Sequence, residues 1–248
     1  MKPILVVTGA GRGIGAAVAL QAAAAGWDVA LNALRDEASA QTVAQAVRSQ
    51  GARALVVMAD VSDPQQVQQL FDRVDAELGP LSGLVNNAGV VDIAQRVDEM
   101  SLERWQRMFA INVTGTFLCT QQALRRMSTR HGGRGGSIVN LSSAAARLGS
   151  PGQYVDYASA KAAIDTFTLG VAREVAAEGV RVNAVRPGII DTDIHASGGE
   201  PDRVQRMAPQ LPLQRAGTAE EVAQAVLWLL SPLSSYTTGS VLDVTGGR

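Results

Sequence analysis

The sequence predicts an α/β fold, in which a doubly wound, seven-stranded parallel sheet is flanked by helices on both faces. Short apolar runs alternate with longer segments of helical periodicity along all 248 residues. Strands separated by helices in this way form parallel sheets with right-handed crossovers. A glycine-rich turn joins the first apolar run to the first helical segment. The hydrophobic content of 46% is sufficient for a buried core.

We expect a single domain over residues 1–248, because no shift in composition divides the chain. The strands are recognised as short apolar runs that end in polar or glycine-rich turns. They are predicted at 4–8, 28–32, 53–58, 84–86, 136–141, 180–185 and 240–244. The helices are predicted at 16–25, 36–49, 64–78, 101–127, 152–177 and 218–230.

Composition excludes several classes of protein. The formal net charge is −1, which does not favour nucleic acid or an anionic membrane as a partner. The single cysteine, Cys119, lies in an apolar helical run and is expected to be a core residue in a reducing compartment. His131 and His195 fall in separate predicted loops, so we expect no metal site. No leader pattern precedes the first strand, and we expect a cytoplasmic protein.

The glycine-rich turn is the first candidate binding site. Gly9, Gly13, Ile14 and Gly15 lie between a buried strand and a helix. Glycines there allow positive φ and let backbone N–H groups approach a pyrophosphate at the helix N-terminus. A plain tight turn would have the same composition, but the strand-to-helix context favours dinucleotide binding.

Tyr157 and Lys161 are the candidate acid–base pair. Residues four apart on a helix lie on the same face, so the phenol and the ammonium should enter one pocket. Lowering the pKa of a tyrosine by about three units from its ordinary value near 10 requires roughly 4 kcal/mol of stabilisation of the phenolate. One positive charge roughly 4 Å away supplies about that much near a protein surface. We therefore expect Lys161 to lower the pKa of Tyr157, although the spacing alone also fits an ordinary surface helix.

Polar or glycine-rich residues follow four further predicted strands. They lie at Asp60 and Val61, at 86–89, at 141–143 and at 186–188. Ligands of doubly wound sheets bind beyond the carboxyl ends of the strands. We therefore interpret these four strand ends as parts of one site.

Together, these motifs resemble the short-chain dehydrogenases/reductases, in the branch of about this length, over essentially the whole chain. The resemblance implies a Rossmann-like fold and hydride transfer between a nicotinamide dinucleotide and an alcohol or carbonyl. It rests on Thr8-Gly9-(x3)-Gly13-Ile14-Gly15, Asn86-Asn87-Ala88-Gly89, Asn112, Ser142-Ser143, Tyr157-(x3)-Lys161 and Pro187-Gly188.

The resemblance implies four catalytic residues. Tyr157 would exchange a proton with the substrate oxygen, and Lys161 would bind the nicotinamide ribose and lower the tyrosine pKa. Asn112, which would otherwise bond its own helix backbone, would hold a water that links the lysine to solvent. Ser143 would hydrogen-bond the substrate oxygen. These roles fit the chemistry, since an alcohol that loses hydride must also lose a proton.

The serine assignment leaves an alternative open. The family usually places this serine 13 residues before the tyrosine, and that position is Ala144 here. A one-residue insertion within 148–156 would bring Ser143 into place, with Ser142 as a structural partner. Tyr154 is a second tyrosine nearby, but no lysine follows it at the required spacing.

We expect NADP(H) to be preferred over NAD(H). Ala33 occupies the strand-two position where NAD-preferring relatives carry an acidic residue, and Arg12 and Arg35 are available to pair with a 2′-phosphate. Asp36 is explained as the start of the next helix. The resemblance also implies that Thr192 binds the carboxamide and that Asp60 and Val61 hold the adenine. The expected cofactor-binding residues are Gly9, Arg12, Gly13, Ile14, Gly15, Arg35, Asp60, Val61, Asn87, Ala88, Gly89, Tyr157, Lys161, Pro187, Gly188, Ile190 and Thr192.

The substrate loop is predicted at about 189–210, and the substrate is a small molecule whose identity the residues leave open. The resemblance implies a homotetramer, with helices 101–127 and 152–177 at one interface and 236–247 at another. The alternative to an enzyme is a dinucleotide-binding sensor or scaffold protein on the same fold. A sensor would be expected to lose the proton-transfer residues. Epimerase or dehydratase chemistry would need further acid–base groups, which we do not identify.

Overall fold

The computed structural model describes residues 2–248, with the backbone alone at His195. Seven parallel strands form one sheet in the order β3-β2-β1-β4-β5-β6-β7, which confirms the predicted doubly wound, Rossmann-like fold. The strand order reverses between β1 and β4, so a crevice opens there at the carboxyl ends of the strands. The strands are β1 Ile4–Val7, β2 Asp28–Ala33, β3 Ala54–Met58, β4 Gly83–Asn86, β5 Gly136–Leu141, β6 Val180–Pro187 and β7 Val241–Val244.

Helices cover both faces of the sheet. One core cluster joins the sheet to α1, α2 and α10, and the other joins it to α3, α5 and α7. The α-helices are α1 Gly13–Ala24, α2 Glu37–Ser49, α3 Pro64–Glu77, α4 Leu102–Phe109, α5 Gly115–Met127, α6 Ala145–Leu148, α7 Val155–Val175, α8 Ile194–Ser197, α9 Arg203–Met207 and α10 Ala219–Leu230.

The central strand β1 explains why the sequence there is continuously apolar. Ile4 and Val6 belong to one core cluster, whereas Leu5 and Val7 belong to the other. Successive side chains of a strand point to opposite faces, and both faces of this sheet are covered. Cys119 lies in the same cluster as Ile4 and Val6, and burial there raises the pKa of its thiol to about 12.

Two helices differ from their predicted extents in the structure. The segment predicted as one helix over 101–127 contains a turn of π-helix, Ala110–Thr114, between α4 and α5. Asn112 lies in this turn, and its side-chain amide nitrogen donates to the Met108 carbonyl oxygen at 3.0 Å. The helix predicted from residue 152 begins instead at Val155, because Gly152 has a φ of +69° and cannot be helical.

Candidate active site

A cavity at the carboxyl ends of the strands contains many of the predicted site residues. Its volume is about 150 Å³. Residues that follow β1, β4, β5 and β6 all contribute to its wall. The predicted residues that line it are Ile14, Asn87, Gly89, Ser143, Tyr157, Lys161, Pro187, Gly188, Ile190 and Thr192. Outside this wall lie Gly9, Arg12, Gly13, Gly15, Arg35, Asp60, Val61, Ala88 and Asn112.

The glycine turn forms a tight cradle at one side of this cavity. Gly9 and Gly13 have φ values of +63° and +55°. A Cβ on Gly15 would lie 2.4 Å from the Gly9 carbonyl oxygen. Asn87 closes the turn, since its amide donates to the Thr8 and Gly9 carbonyl oxygens, each at 2.9 Å. No described side chain caps α1, so its first amides stay free. The turn therefore fits the pyrophosphate of a dinucleotide.

Gly15→Ala is expected to weaken NADPH binding by more than about tenfold, because a backbone oxygen cannot move aside without opening the turn that forms the cradle. Isothermal titration calorimetry with NADPH measures the effect. Gly170→Ala is the matched control: Gly170 lies in α7, and a Cβ there meets no atom within 4 Å. Equal NADPH affinities for the two variants would contradict the assignment of the turn.

Tyr157 and the two serines occupy distinct environments. The Ser143 side chain lies beside the Tyr157 hydroxyl, where its effect is to lower the tyrosine pKa, and both residues line the cavity. Ser142 is buried and donates to the Lys161 carbonyl oxygen at 3.1 Å, inside α7. Ala144 has no hydroxyl to offer. The geometry therefore favours Ser143 over Ser142 as the serine that faces a substrate.

The spacing of Ser143 and Tyr157 is absorbed by the segment between them. The short helix α6 follows Ser143, and Gly149 and Gly152 then reverse the chain with φ values of +71° and +69°. These left-handed residues form the turn that brings Tyr157 back to Ser143. The extra residue expected within 148–156 thus has room in an irregular connection.

The protein's own groups do not lower the pKa of Tyr157, contrary to the expectation from the sequence. Burial raises this pKa, and only the hydrogen bond from Ser143 opposes the rise. The Lys161 ammonium lies 5.6 Å from the centre of the tyrosine ring and donates to the Leu141 carbonyl oxygen at 2.7 Å. Burial in turn lowers the pKa of Lys161 to about 8. From the sequence, the Lys161 charge was expected beside the Tyr157 hydroxyl, whereas in the structure it lies over the Tyr157 ring.

Asn112 is completely buried and holds the loop after β4. Its side-chain amide donates to the Val90 carbonyl oxygen at 3.1 Å, and its oxygen accepts from the Val90 N–H at 3.3 Å. A Cβ on Gly89 would lie 2.7 Å from that oxygen and 3.5 Å from the Lys161 ammonium nitrogen. Asn112 therefore packs close to Lys161 and fixes the backbone of the cavity wall.

The last residue of β2, where the adenosine of the cofactor is predicted to bind, is the buried Ala33 and not a residue with a carboxylate. Asp36 caps α2 by accepting from the Ser39 N–H at 2.9 Å, as the sequence indicated. Arg35 is exposed, and Arg12 donates to the Ser197 hydroxyl at 3.5 Å. The two guanidiniums are thus available to a 2′-phosphate.

Asp60 and Val61 follow β3 in a turn of their own. The Asp60 carboxylate accepts from the Ser62 N–H at 2.8 Å and from its hydroxyl at 2.7 Å. Val61 is buried against Gly115, where an added Cβ would lie 2.8 Å from a Val61 methyl carbon. Both residues therefore have a structural role within the turn, in addition to any contact with an adenine.

A polar cluster that the sequence did not predict holds the segment 189–210 against α7. Glu200 accepts from the Tyr154 hydroxyl at 2.8 Å and from Arg203 at 3.0 Å. Arg203 also donates to the Gln153 side chain at 3.0 Å. Burial, with the Glu200 bond, raises the pKa of Tyr154 to about 12. No local pattern links positions 50 residues apart, so only Tyr154, noted as a second tyrosine, had a signal in the sequence.

The described part of the chain contains no group of three or more His, Cys, Asp and Glu side chains that could bind a metal ion. Within the same residues, the helices are too short or too polar to cross a membrane.

Comparisons with known proteins agree with this geometry. A family model described as enoyl-(acyl carrier protein) reductase matches residues 9–248. The chain is 52% identical over 245 residues to the uncharacterized oxidoreductase YgfF of Escherichia coli, covering 99% of each chain. It is 41% identical over 246 residues to cis-4-hydroxycyclohexanecarboxylate dehydrogenase of Sinomonas cyclohexanicum, covering 98% of this chain and 95% of the relative.

Among solved structures, a short chain dehydrogenase from Burkholderia cenocepacia in complex with NADP superimposes with a TM-score of 0.91 at 33% identity. The match covers 99% of this chain and 97% of that one. The chain therefore belongs to the short-chain dehydrogenase/reductase family and is a nicotinamide-dependent oxidoreductase of the alcohol–carbonyl pair.

Proposed function

We propose that this protein transfers hydride between the nicotinamide of NADP(H) and a small-molecule alcohol or carbonyl, with Tyr157 as the acid and base. The observation that carries the proposal is the convergence of Tyr157, Ser143 and Lys161 on one cavity, which the glycine turn adjoins. When bound, the nicotinamide gives or accepts the hydride.

In the direction of reduction, the Tyr157 hydroxyl donates its proton to the carbonyl oxygen as hydride reaches the carbonyl carbon. Burial keeps that hydroxyl protonated at neutral pH, as a proton donor must be. Ser143 donates a hydrogen bond to the same oxygen and stabilises the charge that develops there. In the direction of oxidation, Tyr157 accepts the proton. We assign the exchange of this proton with solvent to Lys161 and Asn112, because the lysine nitrogen and the asparagine oxygen both lie close to Gly89.

The alternative, a sensor or scaffold without turnover, is disfavoured because the proton-transfer residues are all present and adjoin one another. Absorbance of reduced nicotinamide, with NADPH and separately with NADH, tests the two readings on a panel of carbonyl compounds. The panel includes 4-oxocyclohexanecarboxylate, because one relative is named for the corresponding hydroxy acid. We expect oxidation of NADPH by at least one compound. Tight NADPH binding without turnover on any of them would favour the sensor.

The preference for NADP(H) rests on Arg12 and Arg35, together with the absence of a carboxylate at Ala33. Arg12→Ala and Arg35→Ala should each lower kcat/KM for NADPH by about 10- to 100-fold, the loss of one charged hydrogen bond of roughly 1.5–3 kcal/mol. We expect kcat/KM for NADH to change less than about threefold, since NADH has no 2′-phosphate for these residues to bind. Steady-state kinetics with both cofactors measure this.

The control for these two variants is Arg73→Ala, which removes an exposed cation that pairs with Glu77 on α3. Equal losses with NADPH and NADH in the Arg12 and Arg35 variants would contradict the preference, because they would indicate a general defect of the turn.

The proposal extends to a cytoplasmic homotetramer without nucleic acid or membrane partners. Leu102 and Phe117 on α4 and α5, and Leu169 on α7, are exposed apolar side chains on the helices expected at one interface. Leu233 and Tyr236, which precede β7, are exposed near the other. Light scattering should give four times the chain mass of 25.9 kDa. A mass equal to one chain would contradict the assembly.

A further inference from the structure

The charged residues that line the cavity are all cationic. They are Lys161, Arg203 and Arg248, and no Asp or Glu side chain stands among the described residues of the wall. Lys161 is assigned to catalysis, and Arg203 pairs with Glu200 at 3.0 Å. Arg248 therefore provides positive charge at this cavity that catalysis does not require.

The Arg248 guanidinium has no hydrogen-bond or ion-pair partner within residues 2–248. Burial, followed by the positive charge of Arg203, lowers the pKa of Arg248. A bound anion would offset both effects, because it stabilises the charged form.

The backbone before Arg248 is fixed against two other segments. Gly246 accepts a hydrogen bond from the Leu213 N–H at 3.2 Å. Gly247 has a φ of +91°, and a Cβ there would lie 2.9 Å from the Pro212 side chain. Thr245 packs so closely on Gly188 that an added Cβ would lie 2.8 Å from the threonine Cα. The position of Arg248 at the cavity is therefore part of the folded structure.

We propose that Arg248, with Arg203 beside it, binds a carboxylate of the substrate, so that the substrates are keto acids and the corresponding hydroxy acids. Guanidinium groups match the planar geometry of a carboxylate and hold it through two parallel hydrogen bonds. Val91, Leu148 and Ile194 make the neighbouring wall apolar, which suits a compact carbon skeleton.

This inference rests on the proposed function and adds a binding contact to it. The carboxylate is unchanged in the reaction. The carbonyl carbon accepts the hydride that the reduced nicotinamide gives up, and the carbonyl oxygen accepts the proton of Tyr157.

The test is calorimetric binding of cyclohexanecarboxylate and cyclohexanecarboxamide to the NADP complex, since the two probes share one skeleton and differ in charge. We expect the wild type to prefer the carboxylate by about tenfold or more, as a charged hydrogen bond predicts. Arg248→Gln should lose most of that preference, whereas Arg248→Lys should keep part of it. Arg134→Gln is the control, because it removes an exposed cation at a position far from Arg248 in the sequence, and it should keep the wild-type preference. NADPH binding checks that each variant is folded.

Turnover of 4-oxocyclohexanecarboxylate and its methyl ester, measured in parallel, separates this inference from the proposed function. A preference for the carboxylate that depends on Arg248, without turnover of any carbonyl, would support the inference and contradict the proposed function. Turnover without a preference for the carboxylate, or with the same preference in Arg248→Gln, would overturn the inference alone. If there is neither turnover nor a preference for the carboxylate, the inference and the proposed function are both overturned.

Discussion

Tyr157→Phe is expected to lower kcat for carbonyl reduction by about 10²- to 10⁴-fold, the usual contribution of a positioned general acid. The substitution removes one hydroxyl, which lies beside Ser143 in the wall of the cavity. The ring, which packs near the Lys161 ammonium, stays in place. The Kd for NADPH should therefore change by less than about threefold. Single-turnover kinetics and calorimetry measure the two quantities separately.

The matched control for this variant is Tyr154→Phe. Tyr154 lines the same cavity, but its hydroxyl already donates to the Glu200 carboxylate at 2.8 Å and is therefore not available to a substrate. We expect a loss in kcat of less than about tenfold, the cost of one hydrogen bond in the loop contact. Full activity in Tyr157→Phe, or a larger loss in Tyr154→Phe, would show that the proton donor is a different group.

Arg104→Ala is expected to lower the free energy of unfolding by about 3–5 kcal/mol, because it leaves a buried carboxylate without its partner. Arg104 and Asp156 form an ion pair at 2.8 Å, with side chains that are 8% and 0% exposed. Asp156 precedes Tyr157 in the first turn of α7, so the pair also fixes the position of the proposed proton donor. The melting temperature should fall by about 6–20 °C for a chain of this size.

Arg107→Ala provides the control on the same helix. Arg107 pairs with Asp92 at 3.2 Å, but both side chains are partly exposed, and such a pair contributes about 0–1 kcal/mol. Thermal unfolding of the two variants, followed by circular dichroism, compares them directly. Equal losses would contradict the role of burial. The double variant Arg104→Leu with Asp156→Leu should recover much of the stability, since it leaves no unpaired charge.

Much of the fold and part of the candidate site could be predicted from local patterns. A strand buried on both faces must be continuously apolar, and the run at Ile4–Val7 therefore indicated the centre of the sheet. The glycine turn was predictable because only glycine tolerates the φ of Gly9 and the contact at Gly15. The helical spacing of Tyr157 and Lys161 likewise placed both at one cavity.

The tertiary structure decided what depends on residues far apart in the chain. The pKa of Tyr157 is raised because burial outweighs a lysine that bonds the Leu141 carbonyl oxygen, and neither burial nor that bond has a local signature. The choice between Ser142 and Ser143 likewise depended on which hydroxyl the fold directs into α7.

The same holds for the charges around the substrate pocket. Glu200 pairs with Arg203, whereas the guanidinium of Arg248, a residue of the cavity wall, has no partner among the described residues. The sequence by itself determined the sheet, the glycine turn and the shared face of Tyr157 and Lys161, because each of these depends on residues close together in the chain. Only the fold could decide which charges are neutralised, because electrostatic energy depends on distance in space and on burial.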